Sequence, residues 1–263
     1  MSNIAVTHAE SGLVHAAVVR TERVTPNMQR ITLGGRDLER FEFRGFDQWF
    51  RLAVPVENAR FDNLPDRFGM SGYLRYLSLP KGTRPVIRNY TVRGFRRDPA
   101  ELDIDFVIHG DAGVAGPWAA AAELGAEIAL IDQGCGWKPQ PAGSVLLVSD
   151  ESGLPAIAGV LRDLPRDTVG HAVVELFDAA DRQHVEAPEG VDVRWVVRDP
   201  HAAPGTVALP TVAGLDIRVD DVYAFAVGES AIATGARRQL VGRGVPKTHV
   251  TFCGYWKAGK AAG

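Results

Sequence analysis

The chain has 263 residues, enough for two modest domains with buried cores. Its formal net charge of −3 and pI near 6.2 give no global field that draws nucleic acid or an anionic membrane, so any recognition of an anion has to be local. Cys135 and Cys253 stand far apart with no CxxC spacing, too few thiolates for structural zinc or an iron-sulfur cluster, and no metal site is expected.

The start of the chain through Gly12 has neither a basic n-region nor an apolar core, and no later run is long enough to span a membrane. The chain therefore reads as cytoplasmic, without a membrane span and without a nucleic-acid partner, and a monomer is expected. From His15 to Leu33 two β-rich runs flank the turn signal Thr25-Pro26-Asn27, the pattern of a hairpin. A further run, Trp49 to Val54, precedes an insertion punctuated by Pro and Gly from Pro55 to Pro85. Runs from Val86 to Arg93 and from Leu102 to His109 then alternate around an Arg97-Asp98-Pro99 turn. Another strand begins at Ile128 and Leu130. Six short strands and one helix, Pro117 to Glu123, predict a small antiparallel β-barrel.

After Pro141 the rhythm changes to continuous apolar strands alternating with helices, the pattern of a parallel sheet covered on both faces. Ser144 to Ser149 is the first such strand and Leu154 to Leu164 its helix. Strands follow at Ala172 to Phe177, Val193 to Val197, Tyr223 to Val227 and Val250 to Phe252, with a helix over about Ile232 to Val241. The joint is placed at Lys138-Pro139-Gln140-Pro141, giving a barrel over residues 1–139 and an α/β domain over 140–263. In that arrangement the crevice between the halves is the default ligand site.

Arg88-Asn89-Tyr90-Thr91-Val92-Arg93 puts Arg88, Tyr90 and Val92 on one strand face and Thr91 and Arg93 on the other. An aromatic ring there can lie against a flat cofactor and a guanidinium can pair with its pyrophosphate, although the pattern alone also fits a charged edge strand. The strand carrying Asp105 and Val107 runs through His109 and Gly110 into a turn with Gly113 and Gly116. It ends in a helix opened by Pro117-Trp118-Ala119. Glycines let backbone amides approach a ligand, and a helix start leaves amides free to bind an anion. A plain strand-to-helix connector is the competing explanation, which the arginine-tyrosine strand beside it makes weaker.

These residues, with those of the second half, resemble the siderophore-interacting protein family of flavin-dependent ferric-siderophore reductases, within the ferredoxin-reductase-like superfamily. The resemblance spans nearly the whole length. It implies that Arg88, Tyr90 and Thr91 contact the flavin and phosphates of FAD, and that His109, Gly110, Gly113, Gly116, Pro117 and Ala119 wrap its ribityl and pyrophosphate. Val92, Asp105, Val107 and Trp118 complete that cofactor set. Ser149-Asp150-Glu151-Ser152-Gly153-Leu154-Pro155-Ala156-Ile157 is similar to the signature G-D-E-[ST]-A-L-P-A-I, departing from it at Ser149 and Gly153. Asp150, Glu151, Ser152 and Gly153 are thus expected at the nucleotide, with Ser152 as the helix N-cap. Gly228 and Glu229 resemble an A-G-E turn, and Arg237 in the following helix is a candidate for a nucleotide phosphate.

Cys253-Gly254-Tyr255-Trp256-Lys257 is similar to the terminal G-Y-W-[RK] of the family, so Tyr255 and Trp256 are expected either to cover a flavin face or to anchor the C-terminus. The resemblance implies that NADPH, with NADH as alternative, gives hydride to FAD, which reduces the iron of a ferric siderophore. No acid-base catalytic residue is required. Lys138, Lys257 and Lys260 are candidates for attracting an anionic ferric complex, with Arg23 and Arg51 behind them. A same-fold reductase for another acceptor, and a flavin-bound siderophore carrier without turnover, are the alternatives.

Overall fold

The computed structural model describes residues 2–7, 10–56, 59–108 and 113–259. The chain divides into two compact units, Val6–Cys135 and Gly136–Gly263, with Met1–Ala5 joining the second. Asn3 explains that grouping, since its side chain brackets the last strand: Nδ2 donates to the Val250 carbonyl at 2.9 Å and Oδ1 accepts from Phe252 N at 2.8 Å.

The first unit is a single antiparallel sheet of seven strands. β1 (Leu13–Thr25) and β2 (Met28–Gly34) form the expected hairpin, with Thr25 opposite Met28 across Pro26 and Asn27. β3 (Trp49–Val54), β4 (Val86–Thr91), β5 (Gly94–Arg97), β6 (Ala100–Val107) and β7 (Glu127–Gly134) complete the order β4-β3-β7-β1-β2-β6-β5. Among the described residues one strand more than expected is present. The Arg97-Asp98-Pro99 turn closes a separate hairpin between β5 and β6, with Arg96 reaching across it to Glu101 at 2.9 Å and Asp103 at 2.6 Å. Val92 and Arg93 lie just past the end of β4.

The sheet curls so that edge strand β4 faces β6, where the rings of Tyr90 and Phe106 lie 4.4 Å apart. Phe41, Phe50, Leu52 and Phe106 fill the interior. Side chains of this size contribute roughly 1.5–3 kcal/mol each when fully buried.

Among the described residues, two α-helices belong to this unit. α1 (Met70–Ser78) lies within the Pro/Gly-punctuated insertion, where no helix was expected. α2 (Ala115–Ala120) starts two residues before Pro117 and ends before Glu123, so the proline sits at the third helical position. That is tolerated because the first four helical N–H groups have no intrahelical partner in any case.

The second unit is a five-stranded parallel sheet ordered β10-β9-β8-β11-β12. Its strands are β8 (Ser144–Asp150), β9 (Val169–Leu176), β10 (Gly190–Val197), β11 (Val222–Glu229) and β12 (Val250–Trp256). Helices α3 (Leu154–Asp163) and α5 (Ser230–Gly242) were expected, whereas α4 (Ala208–Ala213) was not. Its N-terminal amides at Gly205, Val207 and Ala208 are capped by Glu175 of β9 at 2.6, 2.9 and 2.7 Å, a partner about thirty residues away that leaves no local signal. The strand order reverses between β8 and β11. In open parallel sheets that reversal opens a crevice at the carboxyl ends, where ligands bind.

No helix among the described residues is long and apolar enough to cross a membrane.

Candidate functional site

In the second unit the switch point is organised by Asp150, the last residue of β8. Its fully buried carboxylate collects hydrogen bonds from three segments. Oδ1 accepts from Ser152 N at 3.0 Å, Ser152 Oγ at 2.5 Å and Gly153 N at 3.2 Å, while Oδ2 accepts from Glu229 N and from the Trp256 indole, both at 3.0 Å. Burial first, and then the neighbouring charge of Glu151, push the Asp150 carboxyl up to about 6.

Ser152 is not the N-cap of α3. That position belongs to Gly153, because the Ser152 hydroxyl turns back to Asp150 instead of forward along the helix. Gly153 has no room for a side chain, since a Cβ there would lie 2.7 Å from Ser149 Cβ and 3.0 Å from Val227 Cγ2. Gly228 has φ +109°, and a Cβ on it would overlap the Asp150 carboxylate. A register shift between Gly228 and Glu229 re-aims the latter. Glu229 caps α5 through Ala231 N and accepts from Ala258 N at 3.0 Å. Ser230 Oγ donates to the Trp256 carbonyl at 2.7 Å. Trp256 is thereby held at both its ring nitrogen and its backbone, and half-buried Tyr255 is carried beside it.

Glu151 points away from this cluster, into a bidentate pair with Arg198 at 2.9 and 2.7 Å. Arg198 lies 3.6 Å from Glu175 as well, and all three are buried. Sequence reading missed Arg198. The signal available was a glutamate inside an apolar strand, Glu175, which requires buried hydrogen-bond donors or a cation nearby. Arg237 lies with its guanidinium carbon 4.9 Å from the centre of the Phe252 ring. Lys138 and Lys257 are exposed.

In the first unit the arginines of neighbouring strands differ in their partners. Arg93 pairs with Asp105 at 3.3 Å, and Asp105 is bound in two places by Arg30 at 2.7 and 2.9 Å. The buried Asp105 carboxylate is therefore engaged by guanidinium groups. Arg88, on edge strand β4, pairs with no carboxylate among the described residues and donates to the Ile87 carbonyl at 2.8 Å. Tyr90, Phe106 and Trp118 form an aromatic run, the second contact at 5.6 Å. Burial raises the Tyr90 phenol well above its ordinary value.

Thr91, Val92 and Ala119 are buried, so the last two shape this region from the core side, and Val107 is half-buried at the end of β6. Gly113 has φ +86° with open space where a side chain would stand, and a Cβ at Gly116 would lie 3.4 Å from the Val107 carbonyl. Pro117 lies within α2. His109, Gly110 and Lys260 lie outside the described residues.

Residues 17–136 match the family model of the siderophore-interacting FAD-binding domain, and residues 142–259 that of the siderophore-interacting protein. The chain is 32% identical over 250 residues to the ferric vibriobactin reductase ViuB of Vibrio cholerae, covering 92% of this chain and 88% of that protein. It is 31% identical over 245 residues to an NADPH-dependent ferric-chelate reductase of Escherichia coli, covering 92% and 91%. The crystal structure of the siderophore-interacting protein SipS from Aeromonas hydrophila superposes with a TM-score of 0.78 at 29% identity, over 95% of this chain and 93% of that one. By both halves of its sequence and by its fold, this chain belongs to the siderophore-interacting protein family.

Proposed function

We propose that the protein is an FAD-dependent reductase of ferric siderophores, drawing its electrons from NADPH with NADH as the alternative donor. The observation that carries this reading is Arg88, a guanidinium on an edge strand without a carboxylate partner among the described residues, while Arg93 and Arg96 close by are neutralised. Tyr90 of the same strand carries the aromatic run, the turn before α2 has open left-handed backbone at Gly113, and these features fit FAD. The matched FAD-binding domain and the two reductase relatives support the same cofactor.

Arg88, Tyr90, Thr91, Gly113, Gly116, Pro117 and Ala119 would hold FAD, whose chemistry, when bound, is to take a hydride and return single electrons. Arg88 neutralises pyrophosphate charge. Tyr90 offers an uncharged phenol ring, whose pKa burial raises further, and Trp118 helps keep water from the ring side. The switch point of the second unit, with Ser152, Gly153, Gly228 and Glu229 fixed around Asp150, orients the nicotinamide nucleotide, and Arg237 lies on the helix that starts there.

Ferric ion in hard oxygen ligands becomes ferrous on reduction and is then held much less tightly, so release follows reduction without a protein acid or base. The substrate is accordingly a ferric siderophore of net negative charge, attracted by exposed Lys138 and Lys257. The protein is proposed to act as a cytoplasmic monomer.

The test is anaerobic titration of the FAD-loaded protein with NADPH, then with a ferric siderophore in the presence of a ferrous chelator. The yellow absorbance is expected to bleach and return, with one ferrous complex formed per electron. Return only with a quinone or free flavin would assign another acceptor, and absence of bleaching by either nucleotide would leave a carrier.

A further inference from the structure

We propose that helix α1 is a docking element for a membrane surface rich in anionic lipid. Met70, Tyr73, Leu74 and Leu77 stand at i, i+3, i+4 and i+7 and share one helix face. All four are exposed, by 80%, 47%, 61% and 44%, whereas such a stripe in a globular protein normally faces the core. Tyr73 touches the Phe68 ring with its edge of the stripe, at 6.2 Å between centroids, and the opposite face is the one that packs closely. Gly72 is buried against the Arg67 backbone, and Tyr76 is half-buried beside Phe68 at 5.5 Å with its hydroxyl donating to the Pro85 carbonyl at 2.9 Å. Arg84 adds a bond to the Leu77 carbonyl at 3.2 Å and stacks over Tyr76. The attachment therefore fixes the helix with its apolar stripe outward.

Charge decides what covers the stripe. In a chain of net charge −3, no Asp or Glu occurs from Arg67 to Arg97. Arg75 lies on the helix and Arg67 and Lys81 flank it, and none of the three pairs with a carboxylate among the described residues. Long basic side chains around a convex apolar stripe suit a bilayer interface, where the stems lie along the acyl boundary and the charged heads reach lipid phosphates. A helix of nine residues is about 13 Å long, and its single face offers far less than the roughly 800 Å² per partner of a stable protein interface. Partial insertion into lipid needs no such area.

The test uses the full-length protein with FAD present and co-sedimentation with vesicles of phosphatidylcholine alone or mixed with phosphatidylglycerol. Two variants accompany it, Leu74→Ser with Leu77→Ser, and Arg75→Glu with Lys81→Glu. All four positions are exposed, and unchanged circular dichroism and unfolding midpoint will establish that both variants fold. The wild type is expected to bind the anionic vesicles about tenfold better than the neutral ones, and raising salt from about 0.1 to 0.5 M should erode that preference. Each variant should lose about tenfold in anionic-vesicle binding. Equal sedimentation of the wild type with and without phosphatidylglycerol would overturn the proposal, as would variants that bind undiminished. A concentration-dependent dimer removed by the leucine substitutions, without vesicle binding, would also overturn it and assign the face to a second copy. None of these readouts depends on reductase activity.

Discussion

The indole Nε1 of Trp256 donates to Asp150 Oδ2 at 3.0 Å, linking the end of the last strand to the end of the first parallel strand across 106 positions of sequence. The same oxygen accepts from Glu229 N, so three chain segments meet on one buried carboxylate. The carboxyl is pushed up to about 6 by burial and by Glu151. Every partner is a donor, so the ionised form is the one that the surrounding hydrogen bonds match.

This makes the switch point sensitive to mild acid. A free aspartate titrates near 4, so the folded chain holds this proton more tightly than the unfolded chain does. The associated stability is fully present below about pH 4 and is lost as pH rises through about 6, a contribution of roughly 3 kcal/mol. The ¹⁵N-indole resonance of Trp256 should move with a midpoint near pH 6, and Asp150→Asn should abolish that titration. A resonance that stays put in the wild type across this range would remove the argument.

Ser149 and Gly153 form a complementary pair. The family string that this segment resembles has glycine at the first position and alanine at the second; here the side chain has changed sides. Gly153→Ala should destabilise by about 1–3 kcal/mol because its Cβ meets Ser149 Cβ at 2.7 Å. Adding Ser149→Gly should recover most of that, since it also removes a buried hydroxyl that has no partner among the described residues. Urea unfolding of both single variants and the double variant measures the coupling, and simple additivity would count against it.

Arg198 is the only cation shown between Glu151 and Glu175 among the described residues. Arg198→Met should lower stability by about 3–5 kcal/mol, because the buried Glu151 carboxylate then loses its bidentate partner, whereas Glu175 keeps the three amides of α4. Arg198→Met combined with Glu151→Gln should be milder than the single change. Thermal unfolding at neutral pH separates the two outcomes.

Arg88→Gln tests the cofactor proposal directly. Loss of one charge-assisted contact should weaken FAD binding by roughly 1.5–3 kcal/mol, about ten- to a hundredfold, while stability stays within about 0.5 kcal/mol. Fluorescence titration of the cofactor-free protein with FAD reads the first quantity. Unchanged affinity would mean that Arg88 is an ordinary edge-strand arginine.

Much of the architecture was legible because periodicity reports it. The Thr25-Pro26-Asn27 turn, the apolar strands from Ser144 onward and the helix after Leu154 appear where period and turn residues put them. Helix α1 escaped notice because its apolar stripe lies between prolines and faces outward, which defeats a reading that expects apolar residues to mark the core. Helix α4 escaped because its cap is Glu175 on another strand. The N-cap assigned to Ser152 failed because Asp150 competes for the same hydroxyl.

The sequence by itself determined the two rhythms, antiparallel then parallel, and the strings that mark the family, because period and local turn chemistry are properties of neighbouring residues. Only the tertiary structure decided the partners of each charge. Arg88 and Arg93 look alike in one hexapeptide, yet Arg93 is neutralised by Asp105 from another strand and Arg88 pairs with no carboxylate among the described residues. Asp150 and Glu151 are adjacent, yet one gathers amides and an indole while the other pairs with Arg198. Buried electrostatics depend on distances across the fold, which residue order leaves open until strand order and register bring the groups together.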